Sequence, residues 1–195
     1  MKFFRSKKYR TLSELVLGCQ RLEASAQTEF YKRYKAKLIG VCIRYARTRS
    51  EGEDIFQEAF IKVFRNITEI REVESVDSWV KSVVIRTAIN YYNRTTRQQL
   101  LHEDLTHSDI ILQSEDYESI IDRMETELVI DIISQLPDGY RMIVNLYLID
   151  GYTHAEIAAL LSITDGTVRS QYHRARNVLM KKLQKIGIDR YELPG

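Results

Sequence analysis

The chain has 195 residues, 44% hydrophobic and 29% charged, with a net charge of +2 and only 8 Gly, 2 Pro and 2 Cys. This composition suits one globular domain or two small ones, and the scarcity of turn residues favours helices over a many-stranded sheet. No apolar run reaches the roughly 18 residues of a membrane span, the basic start MKFFRSKKYR leads into no signal-peptide core, and Cys19 and Cys42 stand in no CxxC or metal-spaced pair, so neither a disulfide framework nor a zinc site is expected.

The small net charge hides blocks of alternating sign. Residues 1–50 hold 13 Lys/Arg against 3 Asp/Glu, a net +10. Within them Thr11-Leu-Ser-Glu14 matches a capping box and opens a helix. Residues 24–48 read as one long helix or two consecutive ones, with Tyr31, Tyr34, Leu38, Val41, Cys42 and Tyr45 at three- and four-residue steps. Ser50-Glu-Gly-Glu53 is a second capping box, at the start of an acidic block of net −5 over residues 51–80. The helix it opens sets Ile55, Phe56, Ala59, Phe60, Val63 and Phe64 in two adjacent rows and leaves Asp54, Gln57, Glu58, Ile61 and Lys62 outside them. Residues 66–77 are polar and read as a loop. A helix then runs from about Val76 to Thr95, with Trp79, Val80, Val83, Val84, Ala88, Tyr91 and Tyr92 as its apolar repeat. Its other face carries Lys81, Arg86, Asn90, Asn93 and Arg94, in a block of net +4 over residues 81–100.

Residues 101–140 carry 11 acids and one base. In LLHEDLTHSDIILQSEDYES (100–119) the apolar residues keep no period, so the stretch reads as an acidic linker. Helical periodicity resumes near Ile120 with Met124, Leu128, Ile132 and Leu136. Pro137 suits a helix start, and YRMIVNLYLI (140–149) continues as helix to Gly151, whose freedom to take positive φ suits a C-cap. Thr153-His-Ala-Glu156 is a third capping box. It opens a short helix that buries Ile157, Ala158, Leu160 and Leu161, and the small Ala158 lets a second helix cross closely. Ser162-Ile163 makes a tight turn and Thr164 caps the next helix. That helix buries Val168, Tyr172, Ala175, Leu179 and Leu183, leaves Arg169, His173 and Arg176 in one outward row with Ser170 and Arg174 beside it, and continues into Lys181 and Lys182.

This is the layout of a helix-turn-helix, in which the first helix supports and the second enters a major groove. Arginine can bind guanine edges bidentately, and Thr164 and Thr167 near a helix N-terminus suit a phosphate. A surface helix in a plain bundle would explain any one of these features. Turn, caps, small residue and basic face together point to DNA. P-loop, GxSxG, HExxH and clustered His/Cys patterns are all missing from the sequence, so no enzyme, cofactor or metal is expected. Glu51, Glu53 and Asp54 near one helix start act on the cap and dipole and not as an acid–base pair. On these grounds two other readings stay open: an autonomous dimeric regulator that binds palindromic half-sites, and a helical adaptor without DNA affinity.

The rest of the chain bears on that choice. LPDGYRMIVNLYLIDGYTHAEIAALLSITDGTVRSQYHRARNVLMKKL (136–183), GEDIFQEAFIKVFRNI (52–67) and SWVKSVVIRTAINYYNR (78–94) resemble, in order, region four, region 2.2 and regions 2.3–2.4 of the extracytoplasmic-function class of bacterial sigma factors, in the sigma-70 family. The resemblance covers about residues 20–186. It implies an all-α fold of two small helical domains joined by an acidic linker, the C-terminal one a helix-turn-helix. The expected boundaries are a basic extension over 1–22, region 2 over 23–98, the linker over 99–122, region 4 over 123–187 and a tail over 188–195.

The resemblance also implies roles and partners. The protein would be a cytoplasmic initiation factor without catalytic activity. Its partners would be core RNA polymerase, through the β′ clamp helices and the β flap, promoter DNA and an anti-sigma factor, with no direct insertion into a membrane. Asp54, Gln57, Glu58 and Ile61 match the face that docks on the clamp helices. The loop Asn66–Ser78 and the helix after it match the part that melts and reads the −10 element, with Lys81, Arg86, Asn90, Asn93, Arg94 and Arg97 as strand contacts. Many relatives have an acid where this chain has Asn90. Trp79, Tyr91 and Tyr92 are spaced more for core packing than for base stacking, Trp79 most of all. Arg169, Ser170, His173 and Arg174 match −35 contacts, with Arg176, Thr153 and Thr167 at phosphates. Asp104, Asp109, Glu115, Asp116 and Glu118 in the linker would approach the RNA exit path, or would serve only as a solubilising spacer. The tail Lys2–Arg10 has no assigned role.

Overall fold

The computed structural model describes residues 9–95 and 131–185, and every regular element among them is helical. The chain divides into two compact units at Tyr91/Tyr92, in the last turns of a helix. The linker, Arg97, the helical period at Ile120, Met124 and Leu128, and the tail residues 2–8 lie outside the described residues.

The first unit comprises α1 (Leu12–Gln20), α2 (Ala24–Tyr45), α3 (Arg49–Asn66), two single 3₁₀ turns at Ile67–Glu69 and Val73–Ser75, and all but the last turn of α4 (Val76–Thr95). Its centre is an aromatic seam between α2 and α3. Phe30 lies 4.4 Å from Tyr34 and 6.0 Å from Phe64, Phe56 lies 4.4 Å from Phe60, and Tyr31 meets Phe60 edge-on at 5.2 Å. Such pairs are each worth about 0.5–1.5 kcal/mol beyond the area they bury. The helices can approach because residue 52 is glycine. A Cβ there would stand 2.8 Å from the Cα of Ile43. Cys19 and Cys42 are free thiols inside this unit, and burial pushes their pKa values up to about 11 and about 12, so both pack as small neutral groups.

Two local expectations change. The N-cap of α3 is Thr48, not Ser50: its hydroxyl accepts the Glu51 N–H at 3.2 Å, and the Glu51 carboxylate accepts the Arg47 N–H at 2.9 Å. Thr48-x-x-Glu51 offers the same chemistry as the later pair and begins the helix one half-turn sooner. The stretch 66–77 is not a plain loop, since Ile67 is buried and two 3₁₀ turns occupy much of it.

In the second unit, residues 131–134 are helical, with Ile132 and Leu136 buried as expected. They are followed by α5 (Asp138–Val144), a π-helical segment Asn145–Ile149, α6 (His154–Leu161) and α7 (Asp165–Lys185). The π segment interrupts what periodicity presents as one helix. Asp150 N–H donates to the Asn145 carbonyl at 2.9 Å, one residue beyond α-helical spacing, and Gly151 then turns the chain at φ +74°. The buried Arg141 ties this unit together. Its guanidinium donates to the carbonyls of Ser134 and Leu136, both at 3.1 Å, and pairs with Asp138, so it caps the chain end that precedes α5. Ile132, Ile133, Leu136, Val144, Ala175, Leu179, Met180 and Leu183 form the core. Tyr172 and Leu160 are only half-buried, unlike the rest of their predicted stripes.

Among the described residues no helix is long and apolar enough to cross a membrane.

α1 ends in a Schellman turn: Glu23 N–H donates to the Gly18 carbonyl at 2.9 Å and Leu22 N–H to that of Cys19 at 3.0 Å. The turn requires Leu22 at φ 59°, a conformation glycine adopts freely and leucine does not, and the side chain is 73% exposed. Leu22→Gly should therefore hold or raise stability by up to about 1 kcal/mol. Glycine at the exposed α2 position Lys32 should instead lose about 1 kcal/mol. Urea midpoints of the two variants check the difference in sign.

Candidate nucleic-acid interface

α6 and α7 are set by their ends. Thr153 forms a complete capping box: its hydroxyl accepts the Glu156 N–H at 3.2 Å, and the Glu156 carboxylate accepts the Thr153 N–H at 2.8 Å. That backbone bond, together with one from the Thr153 hydroxyl, holds the Glu156 carboxyl below its ordinary pKa. Ser162 closes α6 in the left-handed conformation at φ 55°, with Ile163 N–H reaching back to the Ala158 carbonyl at 3.1 Å. Thr164 then starts α7. Its hydroxyl accepts the Thr167 N–H at 3.1 Å and lies 2.8 Å from the Thr167 hydroxyl. Three consecutive residues thus stop one helix and start the next. The ring of Tyr147 lies 4.6 Å from both His154, on which it is stacked, and Tyr172, which pins the start of α6 between the π segment and α7.

With Val168, Ala175, Leu179 and Leu183 buried, the outer side of α7 presents Arg169, Ser170, His173 and Arg174, all exposed. Arg169 does not hang free: its Nε donates to Asp165 at 2.6 Å across one turn. An exposed pair of this kind contributes only about 0.3–0.5 kcal/mol to stability. Its effect is geometric, because one carboxylate takes Nε and leaves other guanidinium donors to face outward. Ser170 donates to the Thr167 carbonyl at 3.0 Å. Arg176 departs from the expected row. It is half-buried beside Val144, Leu148, Tyr172 and Met180, because its position borders the apolar stripe and the segment after α5 covers its stem.

In the first unit, α3 turns Asp54, Gln57 and Ile61 outward, opposite the aromatic seam, and Ile61 is 61% exposed. Glu58 is half-buried on the same side and paired with Lys62 at 2.9 Å.

α4 rearranges the sequence expectation. Its buried row is Val76, Val80, Val84, Ile85, Thr87, Ala88 and Ile89. Trp79 and Val83, expected in the core, are half-buried. At helical steps of four, three, four and four, Trp79, Val83, Arg86, Asn90 and Arg94 follow one row, with Asn93 beside it. The spacing that suggested packing for Trp79 therefore places it with the polar side chains. Lys81 falls on the opposite side of the helix from that row and is half-buried, so the structure does not bring it together with the other proposed strand contacts.

The segment before α4 is fastened at both ends. Gln20, the last residue of α1, donates through Nε2 to the carbonyls of Ile67 and Ile70, both at 3.1 Å. At the other end Asp77 accepts the Tyr34 hydroxyl at 2.5 Å and the Lys37 ammonium at 3.2 Å. Sequence reasoning singled out neither anchor.

The sequence pattern of Sigma-70 region 2 matches residues 30–98 and that of Sigma-70, region 4 matches residues 126–179, together more than half of the chain. The chain belongs to the sigma-70 family. It is 29% identical over 180 residues to the ECF RNA polymerase sigma-E factor of Haemophilus influenzae, covering 88% of this chain and 95% of that one. It is 29% identical over 182 residues to the RNA polymerase sigma-H factor of Pseudomonas aeruginosa, covering 89% and 94%. Among solved structures, the sigma factor RpoE in complex with the anti-sigma factor NepR from Bartonella quintana matches at 16% identity and TM-score 0.47, over 82% of this chain and 99% of that one. The two family matches take in every proposed contact on α3, α4, α6 and α7 of this sigma factor. Neither includes α1, and so neither includes Gln20.

The Tyr34 hydroxyl, then Lys37, hold the Asp77 carboxyl below its ordinary pKa against the opposing effect of burial. A depressed carboxylate stabilises the fold above its unfolded pKa, about 3.9, and that contribution is lost as pH falls through the folded value. Asp77→Asn should therefore destabilise the protein at pH 7, by under about 1 kcal/mol because the side chain is half exposed. The difference from wild type should shrink as pH falls through the folded value, as denaturant midpoints at pH 7 and in acid would record.

Proposed function

We propose that this sigma factor directs core RNA polymerase to promoters by reading the −35 duplex with α7 and capturing the melted −10 strand with the row on α4 and the segment before it. The observation that carries this is the exposed face of Arg169, Ser170, His173 and Arg174 on the second helix of a helix-turn-helix, on a chain that also carries region 2. In this reading region 2 spans 23–98 and region 4 spans 123–187. Arg169 and Arg174 offer donors to guanine edges, Ser170 and His173 offer shorter contacts, and Thr153, Thr167 and Arg176 lie toward phosphates. Arg86, Asn90, Asn93 and Arg94, with Arg97 beyond them, follow the single strand. Trp79 supplies a ring against which a base can stack.

Asp54, Gln57, Glu58 and Ile61 form the docking face for the β′ clamp helices, acidic and amide acceptors around one exposed apolar contact. Region 4 meets the β flap, an anti-sigma factor holds the protein until a signal arrives, and the chain works in the cytoplasm without entering a membrane. Bond-making belongs to the polymerase, so the protein is not an enzyme.

The test is assembly followed by promoter binding. Wild-type protein should bind purified core polymerase, and Ile61→Asp should weaken that binding at least about tenfold, since a charge replaces the exposed apolar group that docking would bury. Arg169→Ala should assemble normally but lose about 1–3 kcal/mol on its best −35 duplex and relax preference at one base pair. A protein that ignores core polymerase yet binds palindromic duplex as a dimer would be an autonomous regulator instead.

A further inference from the structure

We infer that Gln20 is a positioning residue for promoter-strand capture: from outside the matched region 2, it sets the shape of the segment that presents the −10 contacts. This rests on the reading of Asn66–Ser78 as the strand-capturing segment.

The segment has little hydrogen bonding of its own at the point where Gln20 acts. The 3₁₀ turn Ile67–Glu69 is closed by Ile70 N–H to the Ile67 carbonyl at 3.4 Å, a long bond. After it the backbone at Ile70 is extended. The Gln20 amide nitrogen carries two hydrogens directed apart in one plane, and it donates to the carbonyls at both ends of that turn, Ile67 and Ile70, each at 3.1 Å. Ile67 is itself fixed by burial of its side chain. Toward α4 the chain is held differently, by Ser75 to the Glu72 carbonyl at 2.8 Å and by the Tyr34 contact with Asp77. Between these anchors Arg71, Glu72 and Glu74 are exposed. Gln20 is thus the side chain that fixes the exit from the first turn, while Tyr34 and Asp77 fix the entry to α4. A segment held in one shape before the strand arrives loses less freedom on binding and discriminates better among bases.

The experiment uses holoenzyme assembled from core polymerase and full-length protein, with a randomised pool of single-stranded DNA as the probe, sequenced after capture. Gln20→Leu keeps the bulk and removes both donors. Val63→Ala serves as a control that loosens the same core while keeping both Gln20 donors, since Val63 is fully buried in α3. Hydrogen exchange of amides 67–75 in the free protein reports the shape of the segment directly. For Gln20→Leu we expect faster exchange there, strand affinity lower by about tenfold, a flattened base preference, and unchanged binding to −35 duplex. Val63→Ala should keep the base preference. The role is overturned if Gln20→Leu keeps affinity and preference within about twofold of wild type even though exchange has risen, or if Val63→Ala flattens the preference equally. Should wild-type holoenzyme itself select no strand sequence, the reading of the segment fails first and this role falls with it.

Discussion

The N-terminal unit hangs on the close crossing of α2 and α3. Gly52 lets the two backbones approach, and Phe30, Tyr34, Phe56, Phe60 and Phe64 fill the seam this creates. Both outward directions of the unit follow from it. With one side of α3 committed to the seam, Asp54, Gln57 and Ile61 have to face away. With Tyr34 fixed inside the seam by its ring, its hydroxyl reaches Asp77 and sets the point where α4 begins. Burial, and then the Asp77 carboxylate, push the Tyr34 phenol above its ordinary pKa, so it stays a donor. A helix row that packs thereby determines the opposite row that stays exposed.

The C-terminal unit obeys the same constraint with less material. α6 has only eight residues, too few to be stable alone, and depends on its caps and on packing. Thr153, Ser162 and Thr164 fix where α6 and α7 start and stop. Tyr147, stacked on His154 and packed on Tyr172, fixes how they meet. Once Val168, Ala175, Leu179 and Leu183 are buried, the exposed basic face is a consequence of helical geometry.

What could be read from the sequence was local or periodic. The span of α4, the capping box at Thr153, the turn at Ser162-Ile163 and the exposure of Ile61 all follow from signals within a few residues. Thr48 and Ser50 show the limit of such signals, because two Ser/Thr-x-x-Glu pairs two residues apart satisfy the same rule. Trp79 shows another: an aromatic residue at helical spacing fits either row until the row starting at Val76 claims the core. Arg176 sits on the border between stripe and outer face, where a few tens of degrees decide its burial. The π segment departs from the 3.6-residue period on which the reading depends. Gln20 was beyond reach, since its acceptors are backbone carbonyls 47 and 50 residues away. Asp165 was within reach, because an acid four residues before Arg169 is visible to inspection.

The most direct test of the account is run-off transcription with purified bacterial core polymerase on a pool of randomised promoters, with and without this protein. Protein-dependent transcripts are expected, from templates that share one element near −35 and another near −10. Absence of such transcripts, with the protein alone still shifting duplex DNA, would contradict it.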